Sequence, residues 1–186
     1  VMVFDGYSRK KYGKRQIMDI VHPVFRKCAE NVICKLLEHT ANVSCVIGFQ
    51  IDNETKHYGT ASPQVQRMFV EYLKTKFHTT EQLNEVFGLR YWSNSISDWS
   101  DFPDMAGCIH GGLACEFAKF QRSLAAEYLV WQSELVKKYK RQDQFITHNF
   151  DFEWKKFGAD IAQDGYSYGV QPDINHYEAS KAVTIA

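Results

Sequence analysis

The sequence predicts an α/β fold in which helices cover parallel strands. Apolar residues at helical spacing alternate along the 186-residue chain with short apolar runs, the order expected of parallel α/β layers. One of these runs, Val46-Ile47-Gly48-Phe49-Gln50-Ile51-Asp52-Asn53-Glu54, closes on an amide and a carboxylate. A strand that ends in this way points both polar groups out of one end of a sheet, and in a (β/α)8 barrel that end is where catalysis sits. Hydrophobic content of 45% is that of a globular chain and excludes disorder.

The elements follow in order. Val24, Phe25, Cys28, Val32, Leu36 and Leu37 recur at helical spacing and predict a helix over 23–39. Residues 43–51 read as a strand with Cys45, Ile47, Phe49 and Ile51 on one face. Ser62-Pro63 has the form of an N-cap and first helical residue. Val65, Met68, Phe69, Tyr72, Leu73 and Phe77 form the amphipathic stripe behind it. Thr79-Thr80-Glu81-Gln82 resembles a capping box for a short helix through Phe87, stopped by Gly88. Residues 90–112 read as loop. A long helix is expected from about Leu113 to Tyr139, with Leu113, Phe117, Phe120, Leu124, Tyr128, Trp131 and Leu135 as its stripe. Phe145 to Phe150 reads as a second strand, residues 177–181 as a helix, and the last residues as the start of a third strand. Trp99, Trp131 and Trp154 are expected to pack.

Charge and cysteines bound the function. Lys+Arg and Asp+Glu are 22 each, so the net charge is zero, and no basic field attracts nucleic acid or an anionic membrane. No apolar stretch approaches membrane-spanning length. Five cysteines, an odd count without a secretory leader, predict free thiols and a cytoplasmic protein. The chain is shorter than the roughly 200 residues of a complete (β/α)8 barrel. It starts at Val1, and the apolar run 182–186 stops at Ala186, so a fragment cut at both ends is expected.

Four stretches, in order and at sensible spacing, resemble glycoside hydrolase family 42, the β-galactosidases. They are Val46 to Glu54 with its Ile-Asp-Asn-Glu ending, Leu83-Asn84-Glu85-Val86-Phe87-Gly88 followed by Tyr91-Trp92-Ser93, Ser97-Asp98-Trp99, and Thr147-His148-Asn149-Phe150. The resemblance implies a partial catalytic (β/α)8, or TIM, barrel over 1–186, covering about strands four to six. It implies a retaining β-glycosidase that needs no organic cofactor. Glu54 would be the general acid/base at the end of the fourth strand. The nucleophile would be another Glu at the end of the seventh, beyond Ala186; Glu178 lies in a helix and is rejected for that role. Retention needs two carboxylates about 5–5.5 Å apart, one protonating the leaving oxygen while the other attacks the anomeric carbon. By the same resemblance Asn53 would donate to a sugar 2-hydroxyl, and Trp92 would line the sugar site. His148 and Asn149 sit on the same rim without an assigned role.

Some family members carry a cysteine-rich zinc cluster after the acid/base. Here residues 55–60 contain no cysteine, so no metal is expected. Cys108, His110 and Cys115 are three possible soft ligands in need of a fourth. The expected partner is a β-galactoside, with a homotrimer implied by the family. Two other readings remain at this stage: another retaining β-glycosidase, acting on an arabinopyranoside or fucoside, and a non-catalytic carbohydrate-binding barrel.

Overall fold

A computed structural model of the chain describes residues 4–5, 8–9, 18–105, 108, 110–150 and 173–185. The elements in order are β1 (Phe4–Asp5), β2 (Ser8–Arg9), α1 (Pro23–Thr40), β3 (Gly48–Gln50), α2 (Pro63–Phe77), α3 (Thr80–Phe87), α4 (Gly111–Lys137), β4 (Phe145–Thr147) and α5 (His176–Ser180). They fall into two units, Val1–His22 with Tyr58–Gln121, and Pro23–His57 with Arg122–Ala186. Trp154 lies outside the described residues.

In the first unit β1 and β2 pair antiparallel, and local chemistry sets the helix ends. The Ser62 hydroxyl accepts from the Val65 amide at 3.3 Å, and Pro63 opens α2. There the missing N–H costs nothing and the fixed φ is already helical. Thr79 caps α3 by accepting from the Gln82 amide at 3.2 Å. Gly88 ends it in the left-handed region at φ 63°, with its amide bonded back to the last turn. The α2 stripe buries Val65, Phe69, Leu73 and Phe77. Phe69 meets Phe117 edge-on at 5.0 Å, geometry that suits ring quadrupoles, and lies tilted against Phe120 at 5.4 Å. At the margin of this cluster Glu116, 5% exposed, accepts from Tyr72 Oη and Lys76 Nζ. Burial alone would raise the Glu116 carboxyl, but those two donors outweigh it and hold the group below its ordinary range.

In the second unit β3 and β4 lie parallel, with Gly48 opposite Phe145, Phe49 opposite Ile146 and Gln50 opposite Thr147. Phe145 N to Ile47 O (3.2 Å) and Ile51 N to Thr147 O (2.9 Å) extend the ladder at each end. The core behind the strands gathers Leu37 of α1, Ile51, Ile146, Ala125, Ala126, Leu129 and Val136 of α4, and Ala179 of α5. Leu129 and Ile146 are fully buried, and each such side chain contributes about 2 kcal/mol. Trp131 packs half-buried against Tyr128 at 5.7 Å, with the Arg26 guanidinium 4.6 Å from its ring centre. Arg26 also pairs with Glu127 at 2.5 Å.

Three expectations about strands need correction. The strand expected over 145–150 covers only Phe145–Thr147. The strand expected over 43–51 is assigned only at Gly48–Gln50. Val43 and Ile47 are 42% and 68% exposed, and Cys45 is exposed. The alternation is present, but the carbonyls that a ladder would need are taken by side chains. Arg141 donates to Ala41 O, to Val43 O at 3.1 Å and to Val46 O at 2.9 Å. Gln144 Nε2 donates to Ala41 O at 2.9 Å and Val46 O at 2.8 Å. The guanidinium fork thereby holds 41–46 as successive turns. The strand expected to begin in the last residues is absent among the described residues 173–185. Thr184 and Ile185 both engage β4: the Thr184 amide donates to Ile146 O and its hydroxyl accepts from Ile146 N, both at 2.8 Å, and the Ile185 amide donates to Ile146 O at 3.2 Å.

Gly48 is the position in β3 that tolerates no side chain. A Cβ built there would lie 2.5 Å from the Phe145 ring. Gly48→Ala should therefore destabilise the full-length protein by about 1–3 kcal/mol through overpacking, read as a drop in the urea midpoint. Adding Phe145→Leu should recover part of the loss. An unchanged midpoint for Gly48→Ala alone would contradict the close register.

Candidate active site

The backbone turns sharply where β3 ends. Ile51 is buried at 3% exposure, and Asp52 and Glu54 take positive φ values of 47° and 49°. Side chains larger than glycine adopt that region at a cost, and it persists where surrounding contacts over-determine it. Those contacts are on hand. Thr55 Oγ1 donates to Asp52 Oδ2 at 2.6 Å, and Gln50 Nε2 donates to Asp52 O at 3.1 Å. Farther along, His57 Nε2 lies 3.3 Å from Asp173 Oδ1, and the His57 amide donates to Asp173 O at 3.2 Å.

The end of β4 supplies the rest. His148, 4% exposed, sits between the two ends of the turn. Its Nδ1 is 2.6 Å from Ile51 O, and its Nε2 is 3.3 Å from the Thr55 amide. A carbonyl on one side and an N–H on the other are both satisfied only by the neutral ring with the proton on Nδ1. The Phe150 ring meets the imidazole edge-on at 4.8 Å. Burial pushes the His148 imidazolium down, against the opposing pull of the Ile51 carbonyl and the Asp52 and Glu54 charges.

Beside it runs a chain of amides. Gln50 Nε2 donates to Asn149 Oδ1 at 3.0 Å, and Asn149 Nδ2 donates to Asn53 Oδ1 at 2.8 Å. The direction of this chain makes the oxygen of Asn53 an acceptor for protein. The rim therefore gathers the carboxylates of Asp52 and half-buried Glu54, three amides and a neutral imidazole. Such a set suits hydroxyl-rich ligands and one proton transfer. Gln50, His148 and Asn149 had no assigned role from sequence. His148 and Asn149 reach the turn, and Gln50 reaches Asn149, across more than ninety positions, and no local pattern carries that.

The remaining candidates stand elsewhere. Trp92 belongs to the first unit, in a single 3-10 turn over Tyr91–Ser93, rather than the open loop expected. It is 78% exposed, has φ 55° and stacks on Tyr91 at 5.2 Å. Asp98 caps the turn Trp99–Asp101 by accepting from Ser100 N at 2.8 Å. His110 accepts from the Leu113 amide at 3.2 Å through Nδ1, which caps the start of α4. Cys108 and Cys115 are free thiols. Among the described residues no group of three His, Cys, Asp or Glu side chains is placed to hold a metal, and no helix is long and apolar enough to cross a membrane.

The state of His148 links stability to pH. An unfolded histidine gains its proton near 6.5, the folded one only at lower pH. Between those values the unfolded state holds the extra proton, so stability falls as pH drops from 6.5 through that window, by at most about 1.4 kcal/mol per pH unit. Chemical denaturation at about pH 7.5 and about pH 5 should show a larger acid loss for the wild type than for His148→Gln. Equal acid losses would contradict a buried neutral ring.

Comparison with known proteins places this geometry. A family model described as β-galactosidase matches residues 4–175. A β-galactosidase of Clostridium cellulovorans is 30% identical over 154 residues, covering 78% of this chain and 23% of that protein. The solved structure of Gan42B, a GH42 β-galactosidase from G. stearothermophilus, superposes with a TM-score of 0.82 at 19% identity, over 99% of this chain and 26% of that one. A β-galactosidase from the haloarchaeon Halorubrum lacusprofundi gives 0.79 at 20% identity, over 99% of this chain and 26% of that one. The chain spans about a quarter of the length of the relatives it matches. Its α/β structure is part of a (β/α)8 barrel, and the chain belongs to glycoside hydrolase family 42.

Proposed function

We propose that the protein carrying this chain hydrolyses terminal, non-reducing β-D-galactosyl residues with retention, and that residues 1–186 form part of its catalytic domain. Glu54 is the general acid/base. A second carboxylate, supplied from outside residues 1–186, is the nucleophile. Asn53 donates through its amide nitrogen to a sugar hydroxyl, and Trp92 offers an aromatic face to the sugar. The observation that carries this reading is the Asn53-Glu54 pair on the turn that follows β3, in a chain of this family. The C-terminal ends of the strands are where (β/α)8 enzymes place their catalytic groups.

The chemistry divides into two steps. In the first, Glu54 gives its proton to the glycosidic oxygen while the nucleophile attacks the anomeric carbon and the aglycone leaves. In the second, the Glu54 carboxylate takes a proton from water, and the resulting attack releases galactose and frees the nucleophile. A 2-hydroxyl contact from Asn53 strengthens as the ring approaches the oxocarbenium-like transition state.

In the full-length protein, Glu54→Ala should lower kcat/KM on lactose by about a hundredfold or more, in line with the loss of a general acid. An activated aryl β-galactoside needs little protonation of its leaving group, so its kcat/KM should stay near the wild-type value. Added azide should raise its turnover and yield a β-galactosyl azide, because a small anion needs no general base. Lactose hydrolysis at the wild-type rate would remove Glu54 from the mechanism. A panel of aryl β-galactoside, arabinopyranoside and fucoside should show the galactoside preferred. Preference for another sugar would name a different glycosidase, and binding without turnover would mark a carbohydrate-binding barrel.

A further inference from the structure

We infer that His148 is a positioning residue for the general acid/base: its neutral imidazole fastens both ends of the Asp52–Glu54 turn and so sets where the Glu54 carboxyl stands. The inference rests on the proposed role of Glu54. Nδ1–H donates to Ile51 O at 2.6 Å, immediately before the turn, and Nε2 accepts from Thr55 N–H at 3.3 Å, immediately after it. Between these anchors lie the two positive-φ residues, Asp52 and Glu54. A turn with such backbone angles relaxes when its fastenings are removed. The ring itself is fixed from behind by Phe150 and by its position directly after β4.

This arrangement differs from simple packing in three respects. The ring is nearly fully buried yet satisfied at both nitrogens. Its two partners are backbone groups of the turn and not of its own strand. It follows directly on β4, so the parallel pairing transmits the placement of one strand end to the other. A displacement of about 1 Å at a catalytic group is enough to cost on the order of a hundredfold in rate. Loss of the clamp should therefore fall on the step that needs the Glu54 proton.

The test uses the full-length protein with His148→Ala, His148→Asn and Glu54→Ala, assayed on lactose and on an activated aryl β-galactoside. The expected result for His148→Ala is a kcat/KM on lactose reduced by about tenfold or more, with the aryl kcat/KM within about twofold of wild type. Azide should partly restore aryl turnover, as in Glu54→Ala. His148→Asn keeps a donor near the place of Nδ1 and loses the acceptor at Nε2. It should fall between wild type and His148→Ala on lactose, and it decides the matter should His148→Ala fail to fold. Equal losses on both substrates, or none, in the His148 variants beside a clear split in Glu54→Ala would overturn the positioning role alone. No split in Glu54→Ala would remove Glu54, and this inference with it.

Discussion

The parallel pairing of β3 with β4 is the constraint on which the candidate site depends. Gly48 lies against Phe145, Phe49 against Ile146 and Gln50 against Thr147. With that register the two strands finish together. The residues that follow them, Ile51 to Thr55 on one side and His148 and Asn149 on the other, then meet across the end of the sheet. A slip of one residue would turn every side chain of the slipped strand to the opposite face. It would take His148 out of reach of the turn and Ile146 out of the core. The glycine at 48 serves this register directly, since the Phe145 ring occupies the space of a Cβ.

The turn after β3 is costly by itself. Two non-glycine residues with positive φ, Asp52 and Glu54, each carry roughly 1–3 kcal/mol of backbone strain. Four side chains hold it: Thr55 on Asp52, Gln50 on the Asp52 carbonyl, Asn149 on Asn53, and His148 on both flanks. Strain maintained in this manner by neighbouring elements is a means of presenting a side chain in one orientation. Here the side chains presented are Asn53 and Glu54.

Much of the fold was legible because it is written locally. Ser62-Pro63, Thr79 with Gln82, and Gly88 act within a few residues of themselves, and the helices they bound stand where the sequence put them. The long helix α4 was legible from its stripe, although it also buries Ala125, Ala126 and Leu129, which a single stripe does not predict. The length of β3 was not legible. Val43, Cys45 and Ile47 alternate as a strand would, but Arg141 and Gln144, a hundred positions away, claim the carbonyls of that segment. The same limit applied to the site. Asn53 and Glu54 could be singled out from the end of an apolar run and from family resemblance. The clamp from His148 and the amide chain through Asn149 arise only when two distant strands pair.

The protonation state of His148 decides whether its ring can fasten both flanks of the turn. Long-range proton–nitrogen correlation spectra of the full-length protein, labelled with nitrogen-15 at histidine, read the two ring nitrogens separately. At neutral pH His148 should show a protonated Nδ1 and an unprotonated Nε2, the form that donates to Ile51 O and accepts from Thr55 N–H. A proton on Nε2, or a doubly protonated ring at neutral pH, would contradict the clamp and the placement of the turn that follows from it.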